Sequence, residues 1–142
     1  MTAPDLFLRI RARHGHYCPM STLGGRLGMA ALSALGADSE VLMATYCIDT
    51  CATDGIAVAI GCRPEKGRLN VRNEGRHRLE LRGADGRGIA AELSPHALDE
   101  AAACRTRLDN GEESALVLAT LRTAAVTELM VLTPLAGEGN DA

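Results

Sequence analysis

Arg76-His77-Arg78-Leu79-Glu80-Leu81-Arg82 alternates residue by residue. His77, Leu79 and Leu81 fall on one side, and Arg76, Arg78, Glu80 and Arg82 on the other. Successive side chains of an extended strand point to opposite faces. The stretch therefore reads as a strand with one buried and one wet face, as an antiparallel sheet allows. Turn residues bracket it, Asn73-Glu74-Gly75 before and Gly83-Ala84-Asp85-Gly86 after. Working outward, strands are predicted over about Arg68–Arg72 and Gly88–Leu93. Farther out, Glu40 to Ile48 reads as a strand, and Leu129 to Leu132 forms a short apolar one before Pro134.

Helical signals fill the intervals. Residues 4–12 fit a short amphipathic helix, and His14 to Met20 reads as a loop because Gly15 and Pro19 disfavour a helix interior. Ser21 or Thr22 can cap a helix running to about Leu35, with Leu23, Leu27, Ala30, Ala31 and Leu35 on one face. Gly24, Gly25 and Gly28 on its first turns lower helix stability, which predicts that something approaches that surface closely. Gly36 is its expected stop. Thr50 or Thr53 can start a second short helix ending near Gly61. Ser94-Pro95 is a helix start, serine at the N-cap and proline at the first helical position, with the stop at Asn110-Gly111. Glu112 and Glu113 open another helix, and Arg122 sits near its end. The principal elements follow the order α-β-α-β-β-β-α-α-β. The expected fold class is α+β, with helices packed on one face of a mostly antiparallel or mixed sheet. Residues 1–136 are expected to form one domain, and 137–142 a mobile tail.

The chain has 142 residues, enough for one ordinary core. Aromatics are 2% of it, namely Phe7, Tyr17 and Tyr46. That is too few for a base-stacking platform, and the formal net charge of −3 argues against a general nucleic-acid binder. Charge is uneven. Residues 63–92 carry eight basic and five acidic residues, whereas 93–142 carry three and eight. The arginines of the basic stretch read mostly as the wet face of a sheet. No apolar run is long enough to span a bilayer, and the N-terminus lacks the uninterrupted apolar stretch of a secretory signal. A cytoplasmic location is expected.

Five cysteines, Cys18, Cys47, Cys51, Cys62 and Cys104, are many for such a chain. An odd number in a reducing compartment points to metal ligation or thiol chemistry rather than a disulfide framework. His14-Gly15-His16-Tyr17-Cys18-Pro19 concentrates two imidazoles and a thiol. In an extended segment His14, His16 and Cys18 would share a side, and imidazole with thiolate suits zinc, copper, nickel or iron. A second cluster is Cys47-Ile48-Asp49-Thr50-Cys51, followed by Cys62. A helix of about ten residues spans roughly 15 Å, so Cys51 and Cys62 can share one ion only if the helix between them is shorter. Lys66, the single lysine, lies beside this segment. Cys104 in Ala101-Ala102-Ala103-Cys104 reads as a small buried apolar residue, and His77 as a hydrogen-bonded core histidine.

His14-Gly15-His16-Tyr17-Cys18-Pro19-Met20, Gly24-Gly25-Arg26-Leu27-Gly28, Cys51-Ala52-Thr53-Asp54-Gly55-Ile56, Gly61-Cys62 and Lys66-Gly67-Arg68-Leu69 together resemble the FmdE family, an accessory component of formylmethanofuran dehydrogenase. The resemblance covers roughly residues 10–93. Met20 stands where the family carries glycine, Arg63-Pro64-Glu65 replaces a Thr-x-Gly, and Cys47 stands where relatives tend to be acidic. The resemblance implies an α+β domain, a homodimer and a site for a divalent transition metal. Zinc is the first expectation, with nickel or iron next, in a role of metal handling or accessory, Lewis-acid chemistry. It implies His16, Cys18 and Cys62 as the leading ligands and Cys51 and His14 after them. Asp54 would orient a ligand, and Cys47 and Lys66 would stand around the site. The expected partner is a protein or a small-molecule substrate.

Three alternatives stand beside this. One is a thiol redox protein or sensor using Cys18, Cys47, Cys51 and Cys62, with Cys47–Cys51 as a pair. Another is a haem or tetrapyrrole binder with His16 or Cys18 as axial ligand. The third is a hydrolase with Cys18 as nucleophile and His14 or His16 as base.

Overall fold

The computed structural model describes residues 2–36, 41–61 and 69–135. Two helices open it, α1 (Ala3–His14) and α2 (Pro19–Leu35). They are followed by β1 (Val41–Tyr46), α3 (Ala52–Ile60), β2 (Leu69–Val71), β3 (Arg78–Gly83) and β4 (Gly88–Leu93). The chain then runs through α4 (Pro95–Asp109), α5 (Ser114–Thr123), the single turn α6 (Val126–Leu129) and β5 (Met130–Leu135). The architecture is α+β, as the pattern of alternation predicts.

The five strands lie in the order β2-β1-β3-β4-β5. β1 and β2 run parallel, joined across α3, and the other neighbours are antiparallel. One cross-strand row, Tyr46, Leu79, Ala91 and Leu132, faces the helices. The next, Asn70, Thr45, Glu80, Ala90 and Thr133, faces the other way. Leu79 and Leu81 are fully buried, as the alternation requires. The arginines opposite them are not spare charge. Arg72 and Arg78 pair with Glu80, and Arg76 forks onto Glu92. The described part of the basic stretch thus meets its own carboxylates, both within β3 and across to its neighbours.

α2 lies across β3, β4 and β5 and packs against α3, α4 and α5. The close approach predicted at its glycines comes from two neighbours. A Cβ at Gly24 would fall on the Ala52 carbonyl oxygen, and one at Gly28 would lie 2.6 Å from the Ala59 Cβ. A Cβ at Gly25 would lie 2.5 Å from Ile10 Cδ1 of α1. α3 answers with Gly55, whose Cβ would fall on the Ser21 carbonyl oxygen. Residues 24–28 and 52–59 advance together, so α2 and α3 run parallel with their N-termini at one end. α1 seals the outer side of α3 with Leu6, Phe7 and Ile10 against Ala59.

Two boundaries differ from the sequence reading for physical reasons. Pro19 begins α2 instead of ending a loop, because the first helical position needs no N–H donor. β5 continues through Pro134, which the sheet tolerates because β5 is an edge strand. Both edges are weak templates, since β2 has three residues and β5 carries the proline. The predicted mobile tail lies outside the described residues.

Candidate metal centre

Three chain reversals build the site. α1 ends at His14 because Gly15 takes a left-handed backbone (φ 98°) and returns its N–H to the Arg11 carbonyl at 2.8 Å. Three residues on, Cys18 caps α2. Its backbone is extended, and its Sγ accepts the Ser21 N–H at 3.5 Å. Cys51 stands at the N-terminus of α3, which the glycine contacts hold against the start of α2. Two positive helix ends therefore converge where the two thiols lie.

One ligand atom each from His14, Cys18 and Cys51 lie within 4.8 Å of one another. Cys18 is fully buried, the His14 side chain is 11% exposed, and Cys51 is open to solvent. The group thus has a closed floor and an open mouth. Asp54 fixes the imidazole. Its Oδ2 lies 2.8 Å from His14 Nδ1, while its Oδ1 accepts from Arg13 Nε at 3.1 Å. A carboxylate only accepts, so the ring proton sits on Nδ1. His14 Nε2 is left buried and without a hydrogen-bond partner. A buried imidazole nitrogen and two thiols make a donor set suited to a soft or borderline divalent ion.

Arg105 of α4 adds a cation, its Nη2 3.9 Å from Cys18 Sγ. Burial, then the neighbouring Cys18 thiol, pushes the Cys51 thiol up, and Arg105 pulls it down. Asp54→Asn keeps the side-chain shape but removes the obligate acceptor. It is expected to lower metal affinity about 10- to 100-fold, read by competition with a chromophoric chelator. Unchanged affinity would mean that Asp54 does not set the orientation of His14.

The other predicted residues fall into distinct places. His16 is exposed and stands outside the three-residue group. Its ring lies 4.5 Å from that of His14, and its Nδ1 is 3.1 Å from the Tyr17 carbonyl oxygen. His14 closes a helix and Gly15 reverses the chain, so the run is not extended, and His14 comes beside Cys18 across this reversal. Cys47 is buried among residues 72–80 and is not part of the three-residue group. Burial, then Glu80 and Glu74, pushes its thiol up. Among the described residues the thiol facing Cys51 is Cys18. Cys62 and Lys66 lie outside the described residues, but α3 before them is a complete nine-residue helix closed by Gly61 with φ 70°. Cys104 is buried in the core with its Sγ 3.4 Å from the Val117 carbonyl oxygen. His77 lies 3.4 Å from the Tyr46 hydroxyl, and burial pulls its basicity down. Sequence reading misses Arg13 and Arg105. Arg13 adjoins the motif, but nothing in the sequence ties Arg105 to Cys18, 87 residues away.

Residues 13–134 match the family model described as FmdE, molybdenum formylmethanofuran dehydrogenase operon. A probable S-adenosyl-L-methionine-binding protein of Archaeoglobus fulgidus is 32% identical over 92 residues, 59% of this chain. That match spans only 25% of the Archaeoglobus protein's own length. A crystal structure of a tungsten formylmethanofuran dehydrogenase FmdE-like protein from Syntrophus aciditrophicus superposes with a TM-score of 0.72 at 19% identity. It covers 96% of this chain and 73% of that one, and shows the shared fold.

Proposed function

This chain belongs to the FmdE family, and from that membership we propose that it holds one divalent transition metal between His14, Cys18 and Cys51. Zinc is the first choice, with nickel or iron next. The observation that carries the reading is the set of donor atoms from His14, Cys18 and Cys51 within 4.8 Å of one another, with the His14 Nε2 buried and unpartnered. Three protein donors with a position left open is the arrangement of catalytic rather than structural zinc sites. A metal bound there would supply Lewis-acid polarisation of an oxygen ligand. The protein's own part is to fix the imidazole through Asp54, to keep Cys18 dry, and to leave Cys51 accessible. Metal handling or an accessory role beside a separate catalytic protein uses the same three residues. His16 and Cys62, implied by the resemblance, are candidates for a further donor, and Cys62→Ser tests the latter without touching the described group.

Family membership is also the ground for proposing a homodimer, checked by light scattering, in the cytoplasm, where free thiols stay reduced. No helix among the described residues is long and apolar enough to cross a membrane.

A second reading uses the same two thiols. The Cys18 and Cys51 thiols lie within 4.8 Å of each other, and in this reading they close to a disulfide, passing two electrons and two protons to an external disulfide. One experiment separates the readings, namely metal content and free-thiol count on one sample purified without a chelating tag. About one metal per chain supports the metal reading. No metal, with fewer than the five thiols of the sequence free until a reductant is added, overturns it in favour of the redox one.

A further inference from the structure

Arg122, near the end of α5, is a cation without a hydrogen-bond or carboxylate partner among the described residues. It is half-buried, and its Nε is fully buried without a hydrogen-bond partner. No carboxylate or carbonyl of the described residues accepts any of its N–H groups. Burying polar hydrogens unmatched costs stability, and native structures rarely leave them so without a reason. What holds the guanidinium is a pair of rings. Its Cζ lies 5.0 Å from the Phe7 ring centroid and 5.2 Å from that of Tyr17. Ring faces attract the positive charge but take none of the in-plane N–H bonds. Those N–H groups form a planar fork matched to a carboxylate. Arg11 lies over the same Tyr17 ring at 5.2 Å, and it too has no carboxylate partner among the described residues.

This charge opens onto an apolar groove of about 430 Å³ between α1 and α5. Pro4, Phe7, Leu8 and Tyr17 line it, and Leu8 stands 58% exposed at its rim. The size is that of a small-molecule site. A bare inorganic anion would leave the apolar walls wet, and a neutral hydrocarbon would leave the guanidinium unmatched. Asp5, the acidic residue on α1, is bonded to Thr2. We propose that the groove is a binding site for a small apolar carboxylate, its acid group on Arg122 and its body along Phe7 and Leu8. This stands independently of the metal reading, because none of these side chains belongs to the three-residue group.

The test uses the whole chain, titrated by calorimetry with 4-phenylbutyrate, 4-phenylbutanol and inorganic phosphate. The carboxylate is expected to bind saturably, one per chain and at least about tenfold tighter than the alcohol, the increment of a charged hydrogen bond. Arg122→Met, which keeps the stem between the rings, is expected to erase that preference. Equal binding of acid and alcohol, equal binding of phosphate, no saturation, or full affinity in Arg122→Met would each overturn the proposal. If Arg122→Met does not fold by circular dichroism, the three-ligand comparison on the unaltered chain decides alone.

Discussion

Cys18→Ser is expected to abolish metal retention while leaving the fold intact. The two effects separate because Cys18 has two tasks. As an N-cap it accepts the Ser21 N–H, and serine is among the preferred residues for that task. As a donor in the group with His14 and Cys51 it offers a thiolate, which a hydroxyl does not replace for a borderline ion. Metal content should therefore fall from about one per chain to near zero, a larger loss than the roughly 100-fold ceiling for Asp54→Asn. The melting temperature of metal-free protein should stay within about 3 °C, equivalent to roughly 1 kcal/mol. His14→Ala should lose the metal as well. If Cys18→Ser protein retains about one metal per chain, the ion sits elsewhere and the assignment fails. If metal-free Cys18→Ser is strongly destabilised, the thiol's role is in packing, not ligation.

Gly55→Ala is expected to be among the most damaging single-methyl changes at the described glycines. Alanine in a helix interior ordinarily stabilises by about 1 kcal/mol relative to glycine. Here the added carbon would fall on the Ser21 carbonyl oxygen and lie 2.6 Å from the Gly25 nitrogen. Both are backbone atoms, so no side-chain rotation relieves the clash, and α2 and α3 must separate. Overpacking of this kind costs about 3 kcal/mol or more, which lowers the melting temperature by roughly 10 °C. The same separation moves Cys51 from Cys18, so metal retention should fall too. A melting temperature at or above that of the parent would show that the helices tolerate a wider spacing.

Much of this architecture is legible in the chain. Leu79 and Leu81 announce a one-sided strand because period-two alternation survives any context that covers one face. Ser94-Pro95 announces α4 because capping is local, and the Ser94 hydroxyl does accept the Ala97 N–H at 3.1 Å. The strand order is not legible, since the pairing of β1 with β2 and β3 is decided by helix packing and not by either strand's own residues. Pro19 and Pro134 look like breakers in the sequence because proline's tolerated places, a helix's first turn and a sheet's edge, are visible only once the neighbours are known. At the site, the thiols and imidazoles are legible as chemistry but not as a set. His14 and Cys18 come together because Gly15 ends one helix and Pro19 starts the next. Of Cys47 and Cys51, four residues apart, only Cys51 is part of that group. Arg105 and Arg122 reach their places only through the folding of α4 and α5.

The short β2 and the proline in β5 carry a consequence for how copies of this chain can meet. A sheet whose rims offered long, regular rows of unpaired backbone would grow by recruiting strands from other molecules, toward fibrils. Here each rim is too short or too interrupted to serve as such a template. Self-association, where it occurs, is thereby steered away from backbone zippering and onto side-chain surfaces, which close on a defined number of copies instead of propagating.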